Sequence, residues 1–190
     1  MKRALVMVDI QNDYFPGGRR PLPGMPEGCK RAGDLLSFFR ETAQPVFHIR
    51  HIAMKPGATF FLQGSEGVDI HPLVTPRPGE ERVIVKNYPN SFLKTSLLEE
   101  LRTVDPDEVV ICGAMSNMCI DATTRAASDF GFRCVVVHDA CAASDLRFGD
   151  RTVGALDVHA AFMAALSAAY ARVVTLSEFL TETKQEKVGM

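Results

Sequence analysis

A chain of 190 residues, 46% hydrophobic and 23% charged, has the make-up of an ordinary globular protein and can bury a core without disulfides or metals. Its formal net charge of −2, with no basic block, gives nucleic acid or an anionic membrane surface little to bind. The five cysteines (Cys29, Cys112, Cys119, Cys134, Cys141) are odd in number and scattered without a C-x-x-C pair, which argues against a disulfide framework or a zinc ribbon.

The apolar run near the N-terminus meets Asp9 too soon for a signal core, and the apolar stretch that holds Asp157 and His159 does not read as a membrane span. A cytoplasmic, thiol-reduced protein is the simplest expectation. Residues 5–8 form a continuous apolar run, the pattern of a strand buried on both faces. Residues 14–28, rich in Gly and Pro, read as a loop, and Leu35, Leu36, Phe38 and Phe39 as a helical stripe. A second strand is expected at 45–49. Residues 53–81, with Phe60 and Phe61, read as a long loop of the kind that is functional or mobile.

A strand at 82–85 precedes a helical stripe of Phe92, Leu93, Leu97, Leu98 and Leu101. Next come a strand at 108–112, a helix marked by Ala122, Ala126, Ala127 and Phe130, a strand at 133–137, a helix over 158–166 and a strand at 172–174. The polar segment 181–190 is expected to fray. Alternating strands and helices predict an α/β fold: a three-layer αβα sandwich on a mostly parallel, roughly six-stranded sheet, as one domain over 1–180.

Ligands of open parallel sheets sit at the carboxyl ends of strands. Asp9 ends the first strand, Lys86 the third, and Cys119 follows Gly113 beyond the fourth, near the start of a helix. That position offers unpaired N–H groups and the positive end of a helix dipole, which favour a reactive thiolate. Asp9 is placed to take the thiol proton, Lys86 to stabilise the anion, and the helix start to bind an oxyanion. Asp9 can then protonate a leaving amine. This is acyl transfer through a thioester, followed by hydrolysis.

Each residue alone has a plainer reading: a turn-forming Asp, a solvent-facing Lys, a buried apolar Cys. Their joint occurrence at three strand ends favours chemistry. Cys119 and Arg125 also have the C-x5-R spacing of cysteine phosphatases, but no Gly lies between them and Asp121 would repel phosphate. His48 and His51, three apart on a strand, face opposite ways, while His71, His138 and His159 are isolated, so no metal site is expected. His51 is expected at the pocket, His48 packed, and His159 buried near a helix start.

Three motifs carry a resemblance: residues 4–15, ending Val8-Asp9-Ile10-Gln11-Asn12-Asp13-Tyr14-Phe15; Lys86-Asn87-Tyr88-Pro89-Asn90-Ser91-Phe92; and residues 113–125, opening Gly113-Ala114-Met115-Ser116-Asn117-Met118-Cys119. Val137-His138-Asp139-Ala140-Cys141-Ala142 adds a fourth. Over roughly residues 3–180 the chain resembles the isochorismatase-like cysteine hydrolases, a family that includes nicotinamidases, and within it the nicotinamidase-related, streptothricin-hydrolase-like group. The resemblance implies a triad of Asp9, Lys86 and Cys119. It also implies a cis peptide at Ala114–Met115 and an oxyanion hole from the N–H groups of Met115 and Cys119.

Ser116 stands where the family more often has Thr. The nicotinamidase metal ligands, Asp-x-His and a further His, are absent from the matching stretch His51-Ile52-Ala53-Met54, so no metal or organic cofactor is expected. A nucleophilic cysteine favours an amidase. The expected activity is hydrolysis of a small amide, lactam or ureido C–N bond, with Gln11, Phe15, His51, Phe60, Tyr88 and Ser116 as candidate substrate-binding residues. The alternatives are isochorismatase-type vinyl-ether hydrolysis with Asp9 as acid, and a non-catalytic binding or assembly role. The resemblance further implies a homo-oligomer.

Overall fold

β1 (Arg3–Val8) is buried along its whole length because parallel strands flank it on both sides. In the computed structural model, which describes residues 1–188, its neighbours are β2 (Val46–His51) and β4 (Glu108–Ala114). β3 (Arg82–Lys86) pairs with β2, and β5 (Cys134–Ala142) with β4. β8 (Ala171–Val174) completes the sheet beside β5. The order is β3-β2-β1-β4-β5-β8 with every pair parallel, the expected α/β architecture on six strands.

The chain steps outward from β1 through β2 to β3, then returns to the other side of β1 and steps outward again. The reversal opens a crevice at the carboxyl ends of β1 and β4, where such sheets bind ligands. Right-handed crossovers in opposite directions put the connecting helices on opposite faces. α1 (Met25–Glu41) starts within the expected loop, with Pro26 in its first turn, and buries Cys29, Ala32, Leu35, Leu36 and Phe39 at helical spacing. α2 (Leu97–Val104) is shorter than its apolar stripe, and Phe92 is buried in the turns before it. α3 (Asp121–Asp129) and α4 (Ala155–Ala169) pack together.

The expected frayed segment is corrected. Residues 181–188 continue α5 (Leu176–Val188), and residues 189–190 lie outside the described residues. Phe179 is fully buried, stacked on Phe39 at 6.2 Å and edge-on to Phe38 at 5.8 Å. One turn on, Thr183 is buried too, and Glu186 holds the Arg3 guanidinium at 2.7 Å while Glu108 holds it at 2.9 Å. A polar surface hid these anchors from a composition argument.

Residues 53–81 form only two short 3₁₀ turns, Glu66–Val68 and Pro72–Val74, yet they are pinned to the segment after β1. Asn12 N donates to Asp69 O, His71 N to Ile10 O, and Phe61 N to Asp13 Oδ2 at 2.6 Å. Gly67 meets the Asp13 carboxylate where a Cβ would lie only 2.1 Å from it. A hairpin of β6 (Leu146–Phe148) and β7 (Arg151–Val153) stands exposed beyond β5 and was not expected. Among the described residues, no helix is long and apolar enough to cross a membrane.

Because Phe179 closes the core over α1, Phe179→Ala should lower the unfolding free energy by about 3–5 kcal/mol in urea denaturation. A loss under about 1 kcal/mol would mean that α5 is dispensable to the core.

Candidate active site

The site begins with a close approach of two strands. Val8 and Gly113 are register partners, and a Cβ on Gly113 (φ 123°) would stand 2.0 Å from Val8 O. Only glycine permits this contact, and it brings the end of β4 alongside Asp9. Asp9 has φ 52°, a left-handed conformation uncommon outside glycine. The Ala114–Met115 peptide is cis. A π-helical turn, Ser116–Ile120, follows, in which Ile120 N reaches back to Met115 O at 3.1 Å, and it runs straight into α3.

Cys119 lies in that turn, buried rather than exposed. Lys86 ends β3, two strands away from β1, and is buried as fully as Asp9. Its Nζ stands 2.7 Å from Asp9 Oδ2, 3.1 Å from Cys119 Sγ, 3.0 Å from His51 Nδ1 and Tyr88 O, and 3.3 Å from Pro89 O. Three strand ends thus place a carboxylate, an ammonium and a thiol in contact.

Burial pushes the Lys86 ammonium down, but Asp9 and Cys119 outweigh it and hold the pKa above its ordinary value. Burial pushes the Cys119 thiol far above the ordinary range, Asp9 adds to the rise, and Lys86 offsets only part of it. The expectation of a favoured thiolate is therefore corrected. Losing water costs the anion more than a neighbouring cation returns. The geometry suits a sulfur that gives up its proton to Asp9 as it attacks, with Lys86 holding the charge.

Asp9, His51 and Cys119 offer ligand atoms within 4.8 Å of one another, a set that could in principle hold a cation. The Lys86 ammonium bridges all three and already fills that role. A second cation beside it would be repelled at contact distance.

Other expected residues fall differently. Gln11 is fully buried. Its Nε2 donates to His51 O and Val68 O and its Oε1 accepts from His51 N, so the amide is spent bracing the end of β2. Ser116 is buried, donating to Ala142 O at 3.2 Å and meeting His159 Nδ1 at 2.8 Å, and it ties the turn to β5 and α4 instead of facing substrate. Phe15 stacks on His71 at 3.7 Å and lines a cleft of about 620 Å³ with Asn12, Arg19 and Pro72 that does not include Asp9, Lys86 or Cys119. Tyr88 meets Lys86 through its carbonyl, while its ring is exposed beside Lys94.

Phe60 packs on Phe61 at 4.9 Å, and Phe61 faces His51 at 5.7 Å. His48 is packed, as expected, with Nε2 2.8 Å from Glu81. Arg125 pairs with Asp121 and lies over Tyr170, so no phosphate cradle forms around Cys119. Tyr14 is a further residue beside the site, one that the strand-end pattern does not single out. It is buried against Phe60 and Phe61, and burial, followed by the Cys119 and Asp9 charges, pushes its phenol well up. Its position five residues after Asp9, in the motif quoted above, was the available signal.

The isochorismatase domain model matches residues 3–178. The chain is 49% identical to the uncharacterized isochorismatase family protein YddQ of Bacillus subtilis over 95% of this chain and 99% of that one. It is 34% identical to a streptothricin hydrolase of Streptomyces noursei over 76% of this chain and 56% of that one. A maleamate amidohydrolase of Pseudomonas putida is 28% identical over 96% of this chain and 87% of that protein. An isochorismatase hydrolase structure from Oleispira antarctica superposes with a TM-score of 0.90 at 46% identity, covering 95% of this chain and 96% of that one. From the fold at the crevice to the domain that spans nearly all of its length, this chain belongs to the isochorismatase family of hydrolases.

Proposed function

We propose that the protein is a cysteine amidohydrolase that cleaves an amide, lactam or ureido C–N bond of a small molecule. The observation that carries this reading is the single Lys86 ammonium in contact with both Asp9 and Cys119. Sulfur attacks the carbonyl carbon as Asp9 takes the thiol proton. The N–H groups of Met115 and Cys119 receive the oxyanion. Asp9 passes its proton to the departing nitrogen, the C–N bond breaks, and a thioester remains. Asp9 then takes a proton from water, which attacks the thioester, and returns it to the sulfur as the acid leaves.

Amidohydrolases among the relatives support the C–N bond as the target. Tyr14, Phe60 and Phe61 supply an apolar wall beside His51 for the substrate. Assembly as a homo-oligomer is part of the same reading. It is supported by Phe148 on the hairpin and Leu156 at the start of α4, which are 88% and 85% exposed.

Ammonia release across a panel of small amides should find a substrate, and Cys119→Ala should abolish its turnover while a trapped acyl adduct maps to Cys119 in the wild type. Turnover of a vinyl ether that survives Cys119→Ala would instead identify the acid-only reaction. Because burial keeps the resting thiol protonated, alkylation of Cys119 by iodoacetamide should keep rising with pH through the ordinary thiol range of about 8.5. A plateau already reached below that range would show a resting thiolate. In light scattering, Phe148→Asp should reduce the assembled mass; an unchanged mass would clear the hairpin of any role in assembly.

A further inference from the structure

The residue that stands between the two charged members of the triad has no part in the reaction above. His51 ends β2, the strand between β1 and β3, and is the register partner of Lys86. Its backbone is clamped on both sides by Gln11, whose Oε1 accepts from His51 N at 2.7 Å and whose Nε2 donates to His51 O at 2.9 Å. The imidazole is thus delivered to the site on a fixed main chain.

Its protonation state follows from its neighbour. Lys86 Nζ lies 3.0 Å from His51 Nδ1, and an ammonium can only donate. Nδ1 must therefore carry the lone pair. The competing acceptor, Asp9 Oδ2, is 3.8 Å from Nδ1, too far to claim a proton there. A neutral imidazole with an unprotonated Nδ1 carries its hydrogen on Nε2. Burial lowers the His51 pKa, Lys86 lowers it further, and Asp9 opposes them without reversing the outcome. Charging the ring would also set a second cation against the ammonium.

The remaining N–H is unused. Among the described residues Nε2 has no protein partner, and it is not among the side-chain atoms sealed from solvent without one. The side chain keeps 17% of its surface open. The nearest ring beside it is Phe61, which accepts no ordinary hydrogen bond. A neutral donor held rigid beside the reacting sulfur, next to an aromatic wall, is an arrangement for recognising part of a ligand.

We propose that His51 is the specificity-determining residue of this site. Its Nε2–H donates to a second hydrogen-bond acceptor on the substrate, a carbonyl or carboxylate close to the scissile amide. A substrate with an ammonium at that place is refused, because the only lone pair of the ring is spent on Lys86 and the Lys86 charge repels the newcomer. The reaction half of this statement rests on the amidase reading; the recognition half does not.

Binding tests the recognition half without turnover. Succinamate, succinamide, butanamide and 4-aminobutanamide are titrated against the Cys119→Ala protein and followed by ligand-observed NMR. The first two, which carry an acceptor, should bind about tenfold or more tighter than butanamide, the size of effect one buried hydrogen bond to a charged or strongly polar group gives. 4-Aminobutanamide should bind weakest. Adding His51→Leu should bring the uncharged pair, succinamide and butanamide, to within about threefold of each other, while the Lys86 charge still disfavours 4-aminobutanamide; His51→Asn, which can accept from Lys86 and still donate, should keep the preference for succinamide. The same affinity for all four, no measurable binding of any, or a preference for succinamide over butanamide that survives His51→Leu overturns the proposal. If the order holds but the wild type hydrolyses no C–N bond across a panel of acceptor-bearing amides, lactams and ureido compounds, the amidase reading falls and the role of His51 stands.

Discussion

An ammonium sealed from water holds this site together. Lys86 and Asp9 are both fully buried, and such a pair is tolerable only where the remaining hydrogen-bonding capacity is met. Here that holds for the cation, which is surrounded by a carboxylate, a thiol, an imidazole nitrogen and two main-chain carbonyls, but not for Asp9, whose Oδ1 is buried without a donor among the described residues. The states of the other groups follow from it. Lys86 forces the tautomer of His51, supports the charge on Asp9, and stands ready for the sulfur anion that burial otherwise forbids. Removing Lys86 would leave a carboxylate with no counter-charge in the interior, a far larger disturbance than the loss of one hydrogen bond.

The fold exists to make that cluster possible. Lys86, His51 and Asp9 come from three strands standing side by side, β3, β2 and β1, and Cys119 comes from the turn beyond β4 on the far side. Parallel pairing aligns their carboxyl ends on one edge. The segment after β1 then does two jobs at once. Asp9 enters the cluster, and two residues later Gln11 fastens β2 and the 53–81 loop to it. The proposed recognition and the proposed reaction would therefore both depend on neighbouring residues of one stretch of backbone.

Much of this was legible before any coordinates. Buried parallel strands are unbroken apolar runs, so residues 5–8 and 108–112 could be recognised from composition alone, and the reactive residue types stood at their ends. What stayed hidden was how polar side chains spend their hydrogen bonds. Gln11 and Ser116 sit beside the site in sequence, where their polar side chains suggest substrate ligands, but both are consumed by main-chain groups from distant segments. The thiolate expectation failed for a related reason. A helix start can be seen in a sequence, but the depth at which Cys119 is buried cannot. In α5 the polar residues announce a frayed end, while Phe179 and Thr183, four apart, do the anchoring.

The link between Arg3 and Glu186 has a consequence for how the protein is made. β1 is the central strand, and its first residue takes one of its two carboxylate partners from a helix 183 positions further along. The Arg3 guanidinium must therefore wait for its second carboxylate, although β2, α1 and β4, which cover the apolar residues of the strand, are made earlier. Synthesis proceeds at about 5–20 residues per second, so that wait lasts on the order of ten seconds or more. The central strand is thus tied to the last helix only after 183 further positions have been joined.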